Sequence, residues 1–238
     1  DLPNGLHVII HEEHATPIIA VSVLYHVGSK NENNDRTGFA HFFEHLLFEG
    51  SANIGRGEYS ELVEKNGGTL NANTSQDRTY YYEILPSNQL ELGLWLESER
   101  MLHSKVDITG VETQREVVKE EKRQRIDNQP YGSILTETLV RAYTVHPYRW
   151  APIGSLDHLN AATIEEFQQF YKDFYVPNNA TLTIAGDIDY AKTEDLVRQY
   201  FAEIPKGAKE IYRPNVIEPK KTAEVRDIVY DNIQIPAV

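Results

Sequence analysis

The period of the apolar positions changes several times along the chain. Leu6 to His11 and Ile18 to Val27 are β-branched, apolar runs that read as strands. The second is nearly continuous, which predicts a central place in a sheet. Thr69 to Ser75 and Thr79 to Leu85 form a further pair around a turn at Gln76-Asp77, with Tyr80, Tyr81 and Tyr82 as packing residues. Ala180 to Ala185 reads as a fifth strand. Between these runs the period becomes helical. Glu58 to Lys65 is a short helix closed by Asn66-Gly67-Gly68. Gln89 to Met101 carries Leu90, Leu94 and Trp95 on one side. Val111 to Ile126 and Ser133 to Tyr143 follow on either side of Pro130. Ala162 to Phe174 turns Ile164, Phe167 and Phe170 inward, and Ala191 to Phe201 is the last helix. Strands in meandering pairs and helices in runs predict an α+β fold: a two-layer sandwich, its largely antiparallel sheet covered by helices on one face. Pro205 to Lys221 is rich in Pro and Lys and reads as a linker. Thr222 to Ile235 alternates again, like a strand of something further on. The organisation expected is a domain over residues 1–204, a linker over 205–221, and the opening of a second domain over 222–238.

One helical stretch is unlike the rest. In Thr37 to Phe48, with Thr37 as the expected cap, His41 and His45 fall about 40° apart on a helical wheel. Glu44 lies about 60° to the other side of His41, while Phe39, Phe42, Phe43, Leu46 and Leu47 fill the opposite arc. Side chains one turn apart point the same way, so an i, i+4 histidine pair can grip one metal ion. Zinc suits imidazole and carboxylate ligands. Glu44, beside the pair but out of line with it, is placed to hold a water rather than the metal. This is the His-x-x-Glu-His arrangement, the inverse of the commoner zinc motif. The competing reading is a helix with two ordinary surface histidines, against which stand the offset of Glu44 and the apolar backing. On the wheel of the Val111 helix, Glu121 falls in the apolar stripe with Val117 and Val118, near Gln114. Glu116, Lys119 and Arg123 face away, and Glu120 is about 100° off. A carboxylate on a buried face needs a cation or donors. A metal and an interior salt bridge to an arginine both satisfy that need. His11-Glu12-Glu13-His14 matches neither zinc-peptidase spacing and precedes Pro17, so it is assigned to a solvated strand end. His146 is assigned to a surface loop.

Composition adds boundaries. Of 238 residues, 40% are hydrophobic and 25% charged, enough apolar material for a core. A formal net charge of −13 argues against nucleic-acid binding through phosphate neutralisation. An acidic surface favours basic ligands in general but serves solubility first. Cysteine is absent, so any zinc site uses His, Asp or Glu. No apolar run approaches the roughly 20 residues that span a bilayer. The opening Asp1-Leu2-Pro3-Asn4-Gly5 has no signal-peptide character and leaves export open.

Several motifs together carry a family resemblance. They are Leu2-Pro3-Asn4-Gly5-Leu6, Val27-Gly28-Ser29, Gly38-Phe39-Ala40-His41-Phe42-Phe43-Glu44-His45, Gly67-Gly68-Thr69-Leu70-Asn71-Ala72 and Arg115-Glu116-Val117-Val118-Lys119-Glu120-Glu121. Asp127 to Gly132 and Tyr175 to Ala180 extend the match. The chain resembles the pitrilysin/insulinase family of inverted-motif zinc peptidases, in its bacterial and mitochondrial-processing-peptidase-like branch. The resemblance implies one Zn²⁺ held by His41, His45 and Glu121, with Glu44 as general base. It implies that Asn71 and Ala72 lie on an edge strand that pairs with an extended peptide substrate. Many members carry a second glutamate two turns before the third ligand, where this chain has Gln114. Family enzymes are clamshells of two homologous halves, in one chain or two. The chain resembles the first, catalytic half, so the expected partner is a second half-domain, and one half alone is expected to be a weak or inactive peptidase. The implied activity is that of a zinc metalloendopeptidase on extended or unfolded segments. The rival reading is a non-catalytic peptide-binding or structural subunit. A bacterial periplasmic or secreted setting is favoured over cytoplasm or mitochondrial matrix.

Overall fold

The computed structural model describes residues 1–231, 233 and 235. Five strands form one sheet in the order β1-β5-β2-β4-β3: β1 (His7–Glu12), β2 (Ile18–Tyr25), β3 (Thr69–Thr74), β4 (Thr79–Pro86) and β5 (Ala180–Gly186). Only β1 and β5 run parallel; the other three pairings are antiparallel. The long apolar strand β2 is central, as its composition predicts. The register sets Val21 between Glu83 and Ile184, and Val23 between Tyr81 and Leu182. These residues share one face and are buried beneath the helices. Tyr80 and Tyr82 alternate onto the opposite face, where their rings stack at 5.6 Å.

The helical layer consists of α1 (Phe39–Leu46), α2 (Glu58–Lys65), α3 (Leu90–His103), α4 (Ile108–Lys122), α5 (Ile134–Ala142), α6 (Leu156–Ala161), α7 (Ile164–Phe174) and α8 (Tyr190–Phe201). Helix α3 lies close on β2 and β4 through Gly93, where a Cβ would come within 3.0 Å of Val21 and 3.1 Å of Leu85. The apolar arc of α1 is fully used. Phe39 and Phe42 lie 4.7 and 4.6 Å from the Phe167 ring, and Phe43 stacks on Phe170 at 5.5 Å. Each such ring contributes about 1.5–3 kcal/mol by leaving water, so α1 is pinned between the sheet and α7.

Three expectations change, and one helix is added. Thr37 does not cap α1: Gly38 occupies the cap with φ +97°, and the buried Glu32 carboxylate accepts from the Gly38 and Ala40 amides. The Thr37 hydroxyl instead meets His158 Nδ1 at 2.9 Å. The Val111 helix starts earlier and ends in a π-helical turn, Arg123–Asp127. Residues 156–161, for which no element is predicted above, form α6. The strand expected over Thr222 to Ile235 is not formed among the described residues, and part of that stretch lies outside them. A strand needs a neighbour to pair with, and residues 222–231 are exposed. The chain from 205 to 221 runs over the surface, held where Glu218 accepts from the amides of Thr144, Val145 and His146.

Candidate metal centre

Helices α1 and α4 bring three side chains together. Glu121 Oε2 lies 3.4 Å from His41 Nε2 and 3.1 Å from His45 Nε2. The ligand atoms of the three residues all fall within 4.8 Å of one another, and no other group of this kind occurs among the described residues. A tetrahedral zinc with ligands at 2.0–2.1 Å separates them by about 3.3 Å, so the two contacts with Glu121 already have a suitable spacing. Glu121 Oε2 is buried and receives no hydrogen bond. An acceptor left bare beside two imidazoles is the mark of a cation position. The donor set of two nitrogens and one oxygen fits zinc.

The electrostatics favour the same state. Burial, and next the neighbouring His45, push His41 down to about 4, so its imidazole is neutral and free to ligate near pH 7. Contact with His45 holds the Glu121 carboxyl below its ordinary range, against the opposing effect of burial. Glu121 has no interior arginine partner among the described residues; the arginine it meets is exposed. Its Oε1 pairs with Arg125 Nη1 at 2.7 Å, one turn on, while Oε2 faces the histidines. Arg125 meets the carboxylate from the solvent side, its own side chain 77% exposed. Glu120 pairs instead with Arg123, away from the centre. Of its two apolar neighbours on the wheel, Val118 is buried and Val117 is 43% exposed.

Glu44 stands apart from the three. Its Oε2 accepts from Thr74 Oγ1 at 2.6 Å. Burial raises the Glu44 carboxyl, and that hydrogen bond opposes the rise. Thr74 closes β3, the edge strand of the sheet, so Glu44 and the free edge are tied together. Asn71 and Ala72 occupy the middle of this strand. Asn71 is exposed, and its Oδ1 accepts from the Ala72 amide at 2.8 Å. Gln114 donates Nε2 to the buried Glu49 at 2.5 Å, and Glu49 pairs in turn with Arg56.

Sequence reasoning missed Thr74, Arg125, Glu49 and Glu32. Arg125 was readable as the i+4 partner of Glu121; the others depend on tertiary contacts. The rejected cluster is no metal site: His14 bridges Glu12 and Asp187 at the exposed end of β1. His146 stays away from the centre, its Nδ1 accepting from the Tyr148 amide.

Residues 7–149 match the family model described as insulinase (peptidase family M16), and residues 161–237 match the M16 inactive domain. The chain is 35% identical to the zinc protease PqqE of Helicobacter pylori over 96% of its own length and 52% of that protein. The crystal structure of a protease from Helicobacter pylori superposes with a TM-score of 0.88 at 36% identity, over 92% of this chain and 53% of that one. The first half of the periplasmic protease PqqL from Escherichia coli superposes with a TM-score of 0.79 at 28% identity, over 93% and 48%. The chain spans about half the length of the curated relatives it matches. With this breadth of match added to the His-His-Glu centre, the chain belongs to the insulinase family of zinc peptidases, peptidase family M16.

Proposed function

We propose that the chain is the catalytic half of a zinc metalloendopeptidase that cuts extended peptides or unfolded protein segments. The observation that carries this reading is the convergence of His41, His45 and Glu121 beside a Glu44 that is bound elsewhere. His41, His45 and Glu121 would hold the metal, leaving a fourth position open. Zinc bound there supplies a Lewis acid for the scissile carbonyl and makes a water molecule acidic enough to ionise near neutral pH. Glu44 would serve as the general base, its carboxylate accepting a proton and passing it to the leaving amine. Its environment suits the task, because burial raises its affinity for a proton while Thr74 orients it. The free edge of β3 aligns the peptide backbone, once Asn71 releases the Ala72 amide. Backbone pairing of this kind asks little of the substrate sequence.

The proposed organisation is a catalytic domain over residues 1–204, a linker over 205–221 and the opening of a second half beyond. In support, the buried core ends at Ile204, and residues 205–231 contain no helix or strand. The second half, in the same chain or a partner subunit, would close over the centre. A periplasmic or secreted setting is the favoured location, in keeping with the periplasmic relative, and fractionation of the source cells tests it.

Zinc analysis and peptide cleavage by the full-length protein test the assignment. Glu44→Gln keeps its zinc and loses nearly all turnover; Glu121→Ala loses zinc itself. Equal loss of zinc in both variants contradicts the assigned roles. A zinc-loaded protein that binds peptides without cutting them favours the binding-subunit reading.

A further inference from the structure

The tip of the β3–β4 hairpin is locally basic in a chain of formal net charge −13. A hollow of about 310 Å³ opens there, bordered by Lys30, Arg78 and Arg213 together with Leu24, His26 and Asp77. Asp77, the single acid in that lining, is fully engaged. Its Oδ1 meets Lys30 Nζ and its Oδ2 accepts from the Tyr148 hydroxyl, each at 2.6 Å. Arg78 donates Nη1 to Asn73 Oδ1 and lies 5.3 Å from the Tyr80 ring centroid. Arg213 donates to the His26 carbonyl and to Asn179 Oδ1. Neither guanidinium has a carboxylate partner among the described residues. Burial, then the charges of Arg213 and Lys30, hold His26 below the ordinary histidine range, in keeping with a positive local field.

Sheet geometry connects this hollow to the substrate edge. The register pairs Asn73 with Tyr80, and Tyr80 with Leu24. Paired residues put their side chains on the same face, so these three stand in one row across the sheet. A strand added to the free edge of β3 continues that row. Its residue opposite Asn73 places its side chain about 5 Å from the Asn73 side chain, beside Arg78. The next residue of β3 is Thr74, which faces the other way and holds Glu44. The row therefore lies one strand position from the general base.

We infer that Arg78, with Lys30 and Arg213 behind it, forms a subsite for an acidic side chain of the peptide substrate at the position paired with Asn73. The inference rests on the peptidase reading above and on β3 as the substrate edge. Arg78 commits one of its five donors to Asn73, which leaves the rest of its fork for a carboxylate. The global charge of the chain disfavours acidic peptides, so the preference is confined to one position and absent elsewhere along the peptide.

The test uses zinc-loaded full-length protein and an unstructured neutral peptide along which a single Glu, Gln or Lys is walked. One position near the scissile bond is expected to favour Glu over Gln about tenfold in kcat/KM. Arg78→Gln brings that ratio to within about twofold, and Arg78→Glu shifts the preference at the same position to Lys. That gain cannot arise from poor folding. A wild-type protein that cleaves Glu and Gln peptides equally at every position overturns the subsite and leaves the peptidase reading standing. A ratio unchanged in Arg78→Gln also overturns it. No cleavage of any peptide overturns both.

Discussion

Thr74 Oγ1 donates to Glu44 Oε2 across 2.6 Å, joining the last residue of the edge strand to the zinc helix. Under the proposed function the contact couples two tasks, since the strand proposed to align a peptide also orients the proposed base. Removing the hydroxyl without changing the shape isolates the coupling. Thr74→Val is expected to keep its zinc, because Glu44 lies outside the His41, His45 and Glu121 group, and to lose about tenfold in kcat with a smaller change in KM. A hydrogen bond to an ionised group contributes about 1.5–3 kcal/mol, of which only the share that grows in the transition state appears in kcat. Thr74→Ser restores most of the rate. A larger change in KM than in kcat would assign Thr74 to peptide binding alone.

Much of this centre was legible because its parts are local. His41, Glu44 and His45 lie within two turns, and the apolar arc of Phe39, Phe42 and Phe43 fixes which side of α1 faces the core. Glu121 stood out from far along the chain because a carboxylate among valines needs a partner, but the wheel left metal and salt bridge open and only the family resemblance made it a ligand. Val117 was misjudged for the complementary reason: a wheel gives angular neighbours, not what covers them. The position of β5 between β1 and β2 had no sequence signal, because its pairings span most of the chain. Thr74 and Glu32 were invisible for the same reason. Each serves α1 from outside the helix, by contacts that exist only once the sheet and loops are in place.

A second support lies beneath the C-terminal end of α1. Arg100 is 1% exposed and donates Nη1 to the Leu47 carbonyl at 2.9 Å, while Tyr81 OH donates to the Phe43 carbonyl at 2.7 Å. The guanidinium lies 4.4–4.7 Å from the ring centroids of Tyr81, Phe48 and Tyr59. Its Nε bonds Glu97 at 3.1 Å, and its Nη2 is 3.7 Å from Glu83. Burial, and next the charge of Glu97, drive Glu83 well above the ordinary carboxylate range, so Glu83 stays protonated and adds no charge beside Arg100. Glu83→Gln preserves that neutrality and is expected to change stability by less than about 1 kcal/mol. Arg100→Met leaves a buried carboxylate unpaired and costs about 3–5 kcal/mol. It also frees the Leu47 carbonyl at the C-cap of α1, so zinc affinity is expected to fall with stability. Urea unfolding and chelator competition measure the two effects. Equal destabilisation by both substitutions would contradict a protonated Glu83.

Glu32 makes the stability of the opposite end of α1 depend on pH. It is 5% exposed and takes the Gly38 and Ala40 amides on its two oxygens, each at 2.9 Å. Burial pushes it up to about 8 from an ordinary 4.5, although those amides oppose the shift. Between these values the folded chain holds a proton that the unfolded chain has released. Stability therefore falls as pH rises through that window, by at most about 1.4 kcal/mol per pH unit, and levels off on either side. Glu32→Gln cannot titrate, and its amide nitrogen cannot accept one of the two backbone donors. At pH 5 the variant is expected to be less stable than the parent by about 1 kcal/mol, the usual value of a helix cap. By pH 8 the parent has lost that advantage, and the two unfolding curves converge or cross. Denaturant titrations of chelator-treated protein across this range test the point without interference from zinc release. Curves that stay parallel from pH 5 to pH 8 would place the Glu32 proton elsewhere and make this carboxylate an ordinary ionised cap.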